Sequence, residues 1–204
     1  MIKDQEKVWD AIAEQWYHFR QKQFEDVSKE IEKLAKLKKG KILEIGCGNC
    51  RNLRTFGEKN FECYGIDFSK EMLKYAKKYC KKYNFKVKLK KARAEKLPFK
   101  DNSFDYILNI ATLHHLNKKQ QIECIKEMRR VLKNGGLALI SVWNKKSKKK
   151  YNYVPWQVKG KKYWRYYYFF TMSELKKLFK KYGFRILKEI KNKNLILLVK
   201  LEKK

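Results

Sequence analysis

A chain of 204 residues, 44% of them hydrophobic and 15% aromatic, is long enough to bury one hydrophobic core. It shows no apolar leader, no apolar run of membrane-spanning length and no disulfide-framework spacing among five cysteines, so we expect a cytoplasmic protein without membrane association. The formal net charge is +31, from 52 Lys and Arg against 21 Asp and Glu. That excess favours a polyanionic partner, nucleic acid before an anionic membrane surface. An AT-rich genome would also raise lysine, but it should raise glutamate with it.

The predicted elements alternate between helices and strands along the chain. Apolar spacing predicts a helical region over 5–37. Short apolar or alternating segments predict seven strands, at 41–45, 61–66, 85–89, 104–110, 137–143, 184–190 and 194–201. Further helices are predicted at 69–83 and 117–132 and after a capping box at 171–174. Residues 144–162 are interpreted as a lysine-rich loop.

This alternation indicates βαβ units and a mostly parallel sheet, closed by two strands that a tight turn makes antiparallel. The expected fold is therefore α/β, a doubly wound, mostly parallel seven-stranded sheet with an antiparallel C-terminal hairpin. We expect one domain over 1–204. Within it, 1–38 would form a helical cap and 144–170 a substrate-side insertion.

The turn after the first predicted strand carries the strongest binding signal. Glu44 precedes Gly46 and Gly48, which allow a sharp turn and close approach of backbone to a ligand. Asp67 ends the second predicted strand about twenty residues later, where a carboxylate can accept both hydroxyls of a ribose. Glu44 is a candidate counter-charge for a positively charged group of the ligand.

These residues, followed by Glu95–Phe99 and Phe104–Asp105, resemble the motifs of class I S-adenosylmethionine-dependent methyltransferases in order and spacing. The resemblance implies S-adenosylmethionine as the cofactor, with Ala94, Glu95 and Asn109 also in contact with it. Two positions depart from the pattern, because Cys50 stands where many relatives have glycine and Arg93 where many have aspartate. A single Cys-x-x-Cys at 47–50 gives no expectation of a metal.

The segments that follow resemble a narrower family, the tRNA wobble-uridine carboxymethyl methyltransferases. The resemblance is carried by 110–116, 130–136, Val154–Trp156 and Arg165–Phe170. It implies methyl esterification of a carboxymethyl group on uridine, tRNA as partner and a small zinc-binding activator subunit. Arg20 is the candidate cation for the carboxylate. His114 and His115 are candidate catalytic residues, and the substrate-binding candidates are Trp156, Arg165, Tyr167 and Tyr168.

Two alternatives stay open on the sequence. One is a small-molecule methyltransferase of the same fold, whose charge reflects genome composition. The other is a non-catalytic RNA-binding relative that has lost cofactor affinity through Cys50 and Arg93. Lys145–Lys150 is interpreted as a solvated loop or an arm that contacts phosphates.

Overall fold

The computed structural model describes residues 4–145 and 147–203. The elements in chain order are α1 Gln5–Phe19, α2 Glu25–Leu34, β1 Lys41–Ile45, α3 Arg54–Glu58, β2 Glu62–Asp67, α4 Lys70–Lys82, β3 Lys88–Lys91, β4 Phe104–Ile110, a 3-10 turn Leu113–His115, α5 Lys118–Val131, β5 Leu132–Trp143, β6 Tyr151–Val158, β7 Lys161–Tyr168, α6 Met172–Lys181, β8 Phe184–Lys191 and β9 Asn194–Leu201. No helix within the described ranges is long and apolar enough to cross a membrane.

Seven of these strands form one sheet in the order β3-β2-β1-β4-β5-β9-β8. The first five strands in that order are parallel, and β9 pairs antiparallel with both β5 and β8. The predicted fold class is confirmed. The order reverses between β1 and β4, and ligands of such sheets bind outside the carboxyl ends of the strands at that point.

The sheet is covered on both faces, which explains the apolar character of its central strands. Along β1, Leu43 and Ile45 join the core cluster on one face, while Ile42 joins the cluster on the other. The helices start at side-chain caps: Ser69 accepts from the backbone of α4, and α5 and α6 begin with complete capping boxes.

Three predicted elements needed correction. The N-terminal helical region is two helices, because the chain leaves helical geometry at Arg20 and resumes it only at Glu25. The strand predicted at 85–89 forms instead at Lys88–Lys91. The predicted loop at 144–162 contains a β-hairpin of β6 and β7, closed by Lys159 and Gly160, which both have positive φ (46° and 77°). Such a pair suits a tight hairpin turn.

This hairpin does not join the main sheet but packs over its carboxyl edge. The side chain of Gln5 in α1 accepts from the backbone N–H of Tyr166 at 2.8 Å and donates to the carbonyl of Trp164 at 3.1 Å. His115 bonds the Tyr166 carbonyl through Nδ1 at 2.8 Å. α1 and β7 therefore cover the crevice at the carboxyl ends of the parallel strands. That a single domain spans 1–204 remains a prediction.

Candidate active site

Two adjoining pockets open at the carboxyl ends of the parallel strands. The first, the glycine-loop pocket, has a volume of about 970 Å³ including its mouth. Its walls contain six of the predicted cofactor residues: Glu44, Gly46, Gly48, Asp67, Ala94 and Glu95. The second, the arginine pocket, has about 1990 Å³ and shares Trp16, Ala111 and His115 with the first. Because the two pockets share this wall, a group transferred from one ligand to the other would cross only a short distance.

The loop after β1 depends on residues with left-handed backbone. Gly46 and Gly48 have φ of +69° and +52°, and a Cβ on Gly46 would clash with the side chain of Thr112. Cys50 has φ of +66°, which costs a non-glycine residue about 1 kcal/mol. The left-handed backbone explains why glycine suits position 50, and Cys50 keeps the same turn.

Asp67 is anchored by backbone donors at the end of β2. Its two oxygens accept from the N–H groups of Gly48 and Ser69, each at 3.0 Å. Burial raises the pKa of Asp67 to about 6, although the two backbone hydrogen bonds oppose that rise. The side chain is therefore ionised at neutral pH, and each oxygen retains a lone pair for a hydroxyl group of a ligand.

Three buried polar atoms at the end of this pocket have no hydrogen-bond partner within the described chain: Glu44 Oε2, Asn52 Oδ1 and Arg51 Nε. Glu44 is 1% exposed, and its Oε1 accepts from Asn52 Nδ2 at 2.6 Å. Burial raises the pKa of Glu44 to about 8 and lowers that of Arg51 to about 10. Two acceptors beside a guanidinium fit the ammonium and carboxylate groups of an amino acid. The methionyl part of S-adenosylmethionine carries both groups, so these residues fit the cofactor.

Sequence reasoning missed Arg51 and Asn52, although both directly follow the glycine loop. Arg93, which also lines this pocket, pairs with Glu6 of α1 at 2.7 Å. Asn109 needs correction, because it does not line the pocket. Its Oδ1 accepts from the N–H of Leu113 at 3.1 Å, and the side chain is buried in the core.

The arginine pocket is named for Arg20 and Arg165, two cations that form no ion pair with any carboxylate of the described chain. Arg165 is 5% exposed; its Nη1 donates to Tyr167 Oη at 3.0 Å and its guanidinium lies 4.8 Å from the Trp156 ring centroid. Arg20 lies 5.3 Å from the centroid of Trp16. The Nε atoms of both arginines are buried without a partner.

Aromatic rings therefore hold these cations in place of acids. Desolvation lowers the pKa of both arginines, and the electrostatic interaction with Tyr167 partly opposes that change. A buried cation whose N–H groups have no acceptor destabilises the folded protein unless an anion binds to it. The three acidic residues that line the pocket all belong to α2: Glu25, Asp26, which accepts from Asn194, and Glu30, which pairs with Lys33 and Lys188. The hairpin side of the pocket is thus prepared for an anionic ligand.

The two predicted histidines meet at this wall with their rings 4.3 Å apart. His114 Nδ1 accepts from the Trp143 N–H at 3.1 Å, and its ring stacks on Tyr167 at 5.0 Å. Burial lowers the pKa of His115 to about 3 and that of His114 well below its ordinary value. Both imidazoles are neutral at pH 7. The Nδ1 contacts assign a donor Nε2–H to His114 and an acceptor Nε2 to His115.

The remaining predicted substrate residues, on β6 and β7, divide between the arginine pocket and the core. Trp156 and Tyr167 line the arginine pocket with Arg165. Tyr168 needs correction, because alternation along the strand turns it into the core. There its hydroxyl donates to Glu174 at 3.2 Å and its ring packs on Phe170.

Comparison with known proteins decides the family. The methyltransferase domain model matches residues 42–136. An uncharacterized protein of Methanocaldococcus jannaschii is 33% identical over 183 residues, which are 89% of this chain and 82% of the relative. The tRNA (carboxymethyluridine(34)-5-O)-methyltransferase of Arabidopsis thaliana is 35% identical over 141 residues.

The chain belongs to the class I S-adenosylmethionine-dependent methyltransferases. It is an enzyme with S-adenosylmethionine as its cofactor, and the glycine-loop pocket is where that cofactor fits. The matched region covers 67% of this chain but only 32% of the Arabidopsis enzyme. Among solved structures, a Haloferax volcanii methyltransferase in complex with the Trm112 methyltransferase activator superposes with a TM-score of 0.73. It is 15% identical and the match covers 100% of this chain and 99% of that one, a likeness of fold.

Proposed function

We propose that this methyltransferase esterifies the carboxymethyl group of a modified wobble uridine in tRNA. The observation that carries the proposal is a pair of arginines, half-buried Arg20 and buried Arg165, which lack an acidic partner in the described chain and line the pocket beside the glycine-loop pocket. A planar guanidinium suits a carboxylate better than any other side chain. The aromatic rings around these arginines suit a planar base.

The residues of the site match the demands of this reaction. A carboxylate is ionised at pH 7 and needs no base to become a nucleophile. When bound, S-adenosylmethionine supplies an electrophilic methyl group on a positively charged sulfur. Arg20 and Arg165 would orient the carboxylate, while His114 and His115 remain neutral and exclude water from the shared wall. Catalysis then rests on alignment.

The same arginines favour release of the product. Esterification removes the negative charge of the substrate, because the carboxylate oxygen would bond to the methyl carbon as that carbon's bond to sulfur breaks, which leaves S-adenosylhomocysteine. A neutral ester cannot satisfy the two guanidinium groups as the carboxylate did. Binding should therefore be stronger for substrate than for product.

Two further observations support tRNA as the substrate. The net charge of +31 favours a polyanion, and the Arabidopsis relative is named for carboxymethyluridine at position 34 of tRNA. The five cysteines are free thiols, which suits the reducing cytoplasm. Since the Haloferax neighbour was solved with a methyltransferase activator, a similar small subunit is a proposed partner of this chain.

The test is methyl transfer from radiolabelled S-adenosylmethionine to an anticodon stem-loop that carries 5-carboxymethyluridine, with and without an activator subunit. The same stem-loop with unmodified uridine is the control. An ester, unlike a methylated nitrogen, releases its label as volatile methanol in mild alkali. Equal labelling of both RNAs, or label that alkali does not release, would overturn the proposal.

Variants then test the arginine pair. Arg165→Lys and Arg20→Lys should lower kcat/KM about 10- to 150-fold, since an ammonium cannot replace a two-pronged contact. Both should bind S-adenosylhomocysteine like the wild type, because neither arginine lines the glycine-loop pocket. Labelling of a small metabolite instead of RNA would favour the small-molecule enzyme, and failure to bind cofactor would favour the non-catalytic relative.

A further inference from the structure

Phe19, the last residue of α1, is exposed in an unusual setting. Its side chain is 63% exposed although the ring belongs to an aromatic series that runs out of the active site. Successive ring centroids in this series lie 5.2 Å apart from Trp9 to Trp16, 5.2 Å from Trp16 to Trp156 and 5.5 Å from Trp156 to Phe19. Phe19 is thus the outer end of a wall whose inner end lines the cofactor site.

Two side chains of the arginine pocket contact the ring of Phe19. The guanidinium of Arg20 lies over the ring, 4.6 Å from its centroid, and Trp156 contacts the ring in a T-shaped arrangement with an interplanar angle of 72°. The indole N–H of Trp156 donates to Gln15 of α1. Despite these two contacts, 63% of Phe19 stays exposed.

Single exposed apolar side chains are common, but this one stands at the rim of a pocket for an anionic planar substrate. The hairpin that supplies Trp156 ends in Lys159, Lys161 and Lys162, which are all exposed and lie one to three residues beyond the Trp156–Tyr163 pair. At about 3.4 Å per strand residue, the backbones of these lysines lie roughly 3 to 10 Å along the hairpin from that pair, within reach of a neighbouring phosphate.

We infer that Phe19 is a stacking platform for a base adjacent to the methylated nucleotide in single-stranded RNA. The inference rests on the proposed function for the identity of the target nucleotide. The target base would enter the arginine pocket, and its neighbour would stack on the outer face of Phe19, with the hairpin lysines on the phosphates. Stacking tolerates any base, so Phe19 contributes affinity for an open loop rather than sequence preference.

The test is binding of a fluorescently labelled anticodon stem-loop to wild type, Phe19→Leu, Phe19→Trp and Leu37→Ala. Leucine keeps the apolar bulk but has no flat face, so Phe19→Leu should raise Kd about 5- to 150-fold while Phe19→Trp retains affinity. Leu37, 45% exposed and before the amino end of β1, is the matched control and should behave as wild type.

A second readout reports stacking directly. The fluorescence of 2-aminopurine, placed on either side of the target nucleotide in separate oligonucleotides, should be quenched by wild type and Phe19→Trp in at least one of them, but not by Phe19→Leu. The inference is overturned if wild type does not bind the RNA, if Phe19→Leu binds as tightly, or if leucine and tryptophan weaken binding equally. RNA binding with this pattern but no methylation would refute the proposed function and leave the stacking platform standing.

Discussion

Replacing Glu44 with glutamine should make the free protein more stable and the cofactor complex weaker. The carboxyl group is buried at the end of the glycine-loop pocket, where desolvation raises its pKa from 4.5 to about 8. The folded state therefore holds this proton over a pH range in which the unfolded state has released it. As a result, the free energy of unfolding falls as pH rises from about 4.5 to about 8.

The size of the effect follows from the two pKa values. At pH 8 the penalty for Glu44 amounts to roughly 4 kcal/mol, and at pH 5 it is below about 1 kcal/mol. Glutamine keeps the acceptor for Asn52 Nδ2 but carries no charge. Glu44→Gln should therefore unfold at higher urea concentration than wild type at pH 8, and the difference should nearly vanish at pH 5.

Cofactor binding should change in the opposite direction. The cofactor's ammonium group would favour the ionised form of Glu44 and displace its proton, and glutamine cannot supply that charge. The Kd of Glu44→Gln for S-adenosylmethionine should therefore be about 10- to 150-fold higher by calorimetry. Glu62→Gln is the matched control on β2, where ion pairs with Lys88 and Lys41 lower the pKa of Glu62 to about 2. That variant should bind cofactor normally and gain no stability at pH 8. A destabilised Glu44→Gln at pH 8, or one with wild-type cofactor affinity, would refute this account.

Three other predictions concern the cofactor, the histidines and RNA. Asp67→Asn should raise the cofactor Kd about 10- to 150-fold. The affinity of the wild type for the cofactor should also fall below pH 6 as Asp67 protonates, and calorimetry should find no such pH dependence in the variant. Because burial lowers the pKa of His115 to about 3, the methylation rate should show no inflection between pH 6 and 7; one that disappears in His115→Gln would contradict its neutrality. The double variant Lys145→Ser, Lys148→Ser should weaken binding to all tRNAs alike. It should also reduce the slope of log K against log salt concentration by up to about 1.8, and an unchanged slope would exclude phosphate contacts at these lysines. Lys146, in the same predicted arm, lies outside the described residues.

The sequence by itself determined the parts of this protein that depend on local signals. Apolar periodicity located six strands of the sheet and placed the seventh, β3, three residues too early; the caps at Ser69, Asn117 and Thr171 located α4, α5 and α6. The glycine loop and Asp67 were also predictable, because a left-handed turn after one strand and a carboxylate after the next require particular residues at nearly fixed spacing. The hairpin at 151–168 escaped prediction, since Pro155 and the lysines clustered at 159–162 are typical of a loop.

Only the tertiary structure decided which side chains meet. Asn109 and Tyr168 fit family motifs, but the folded chain places both in the core, where Asn109 accepts from Leu113 and Tyr168 donates to Glu174. Arg20 lies at a break between two helices, and the hairpin carries Arg165 to the same pocket from 145 residues away. Whether a buried arginine has an acidic partner depends on all neighbouring elements at once. The proposed anion site depends on that collective property, which no local pattern records.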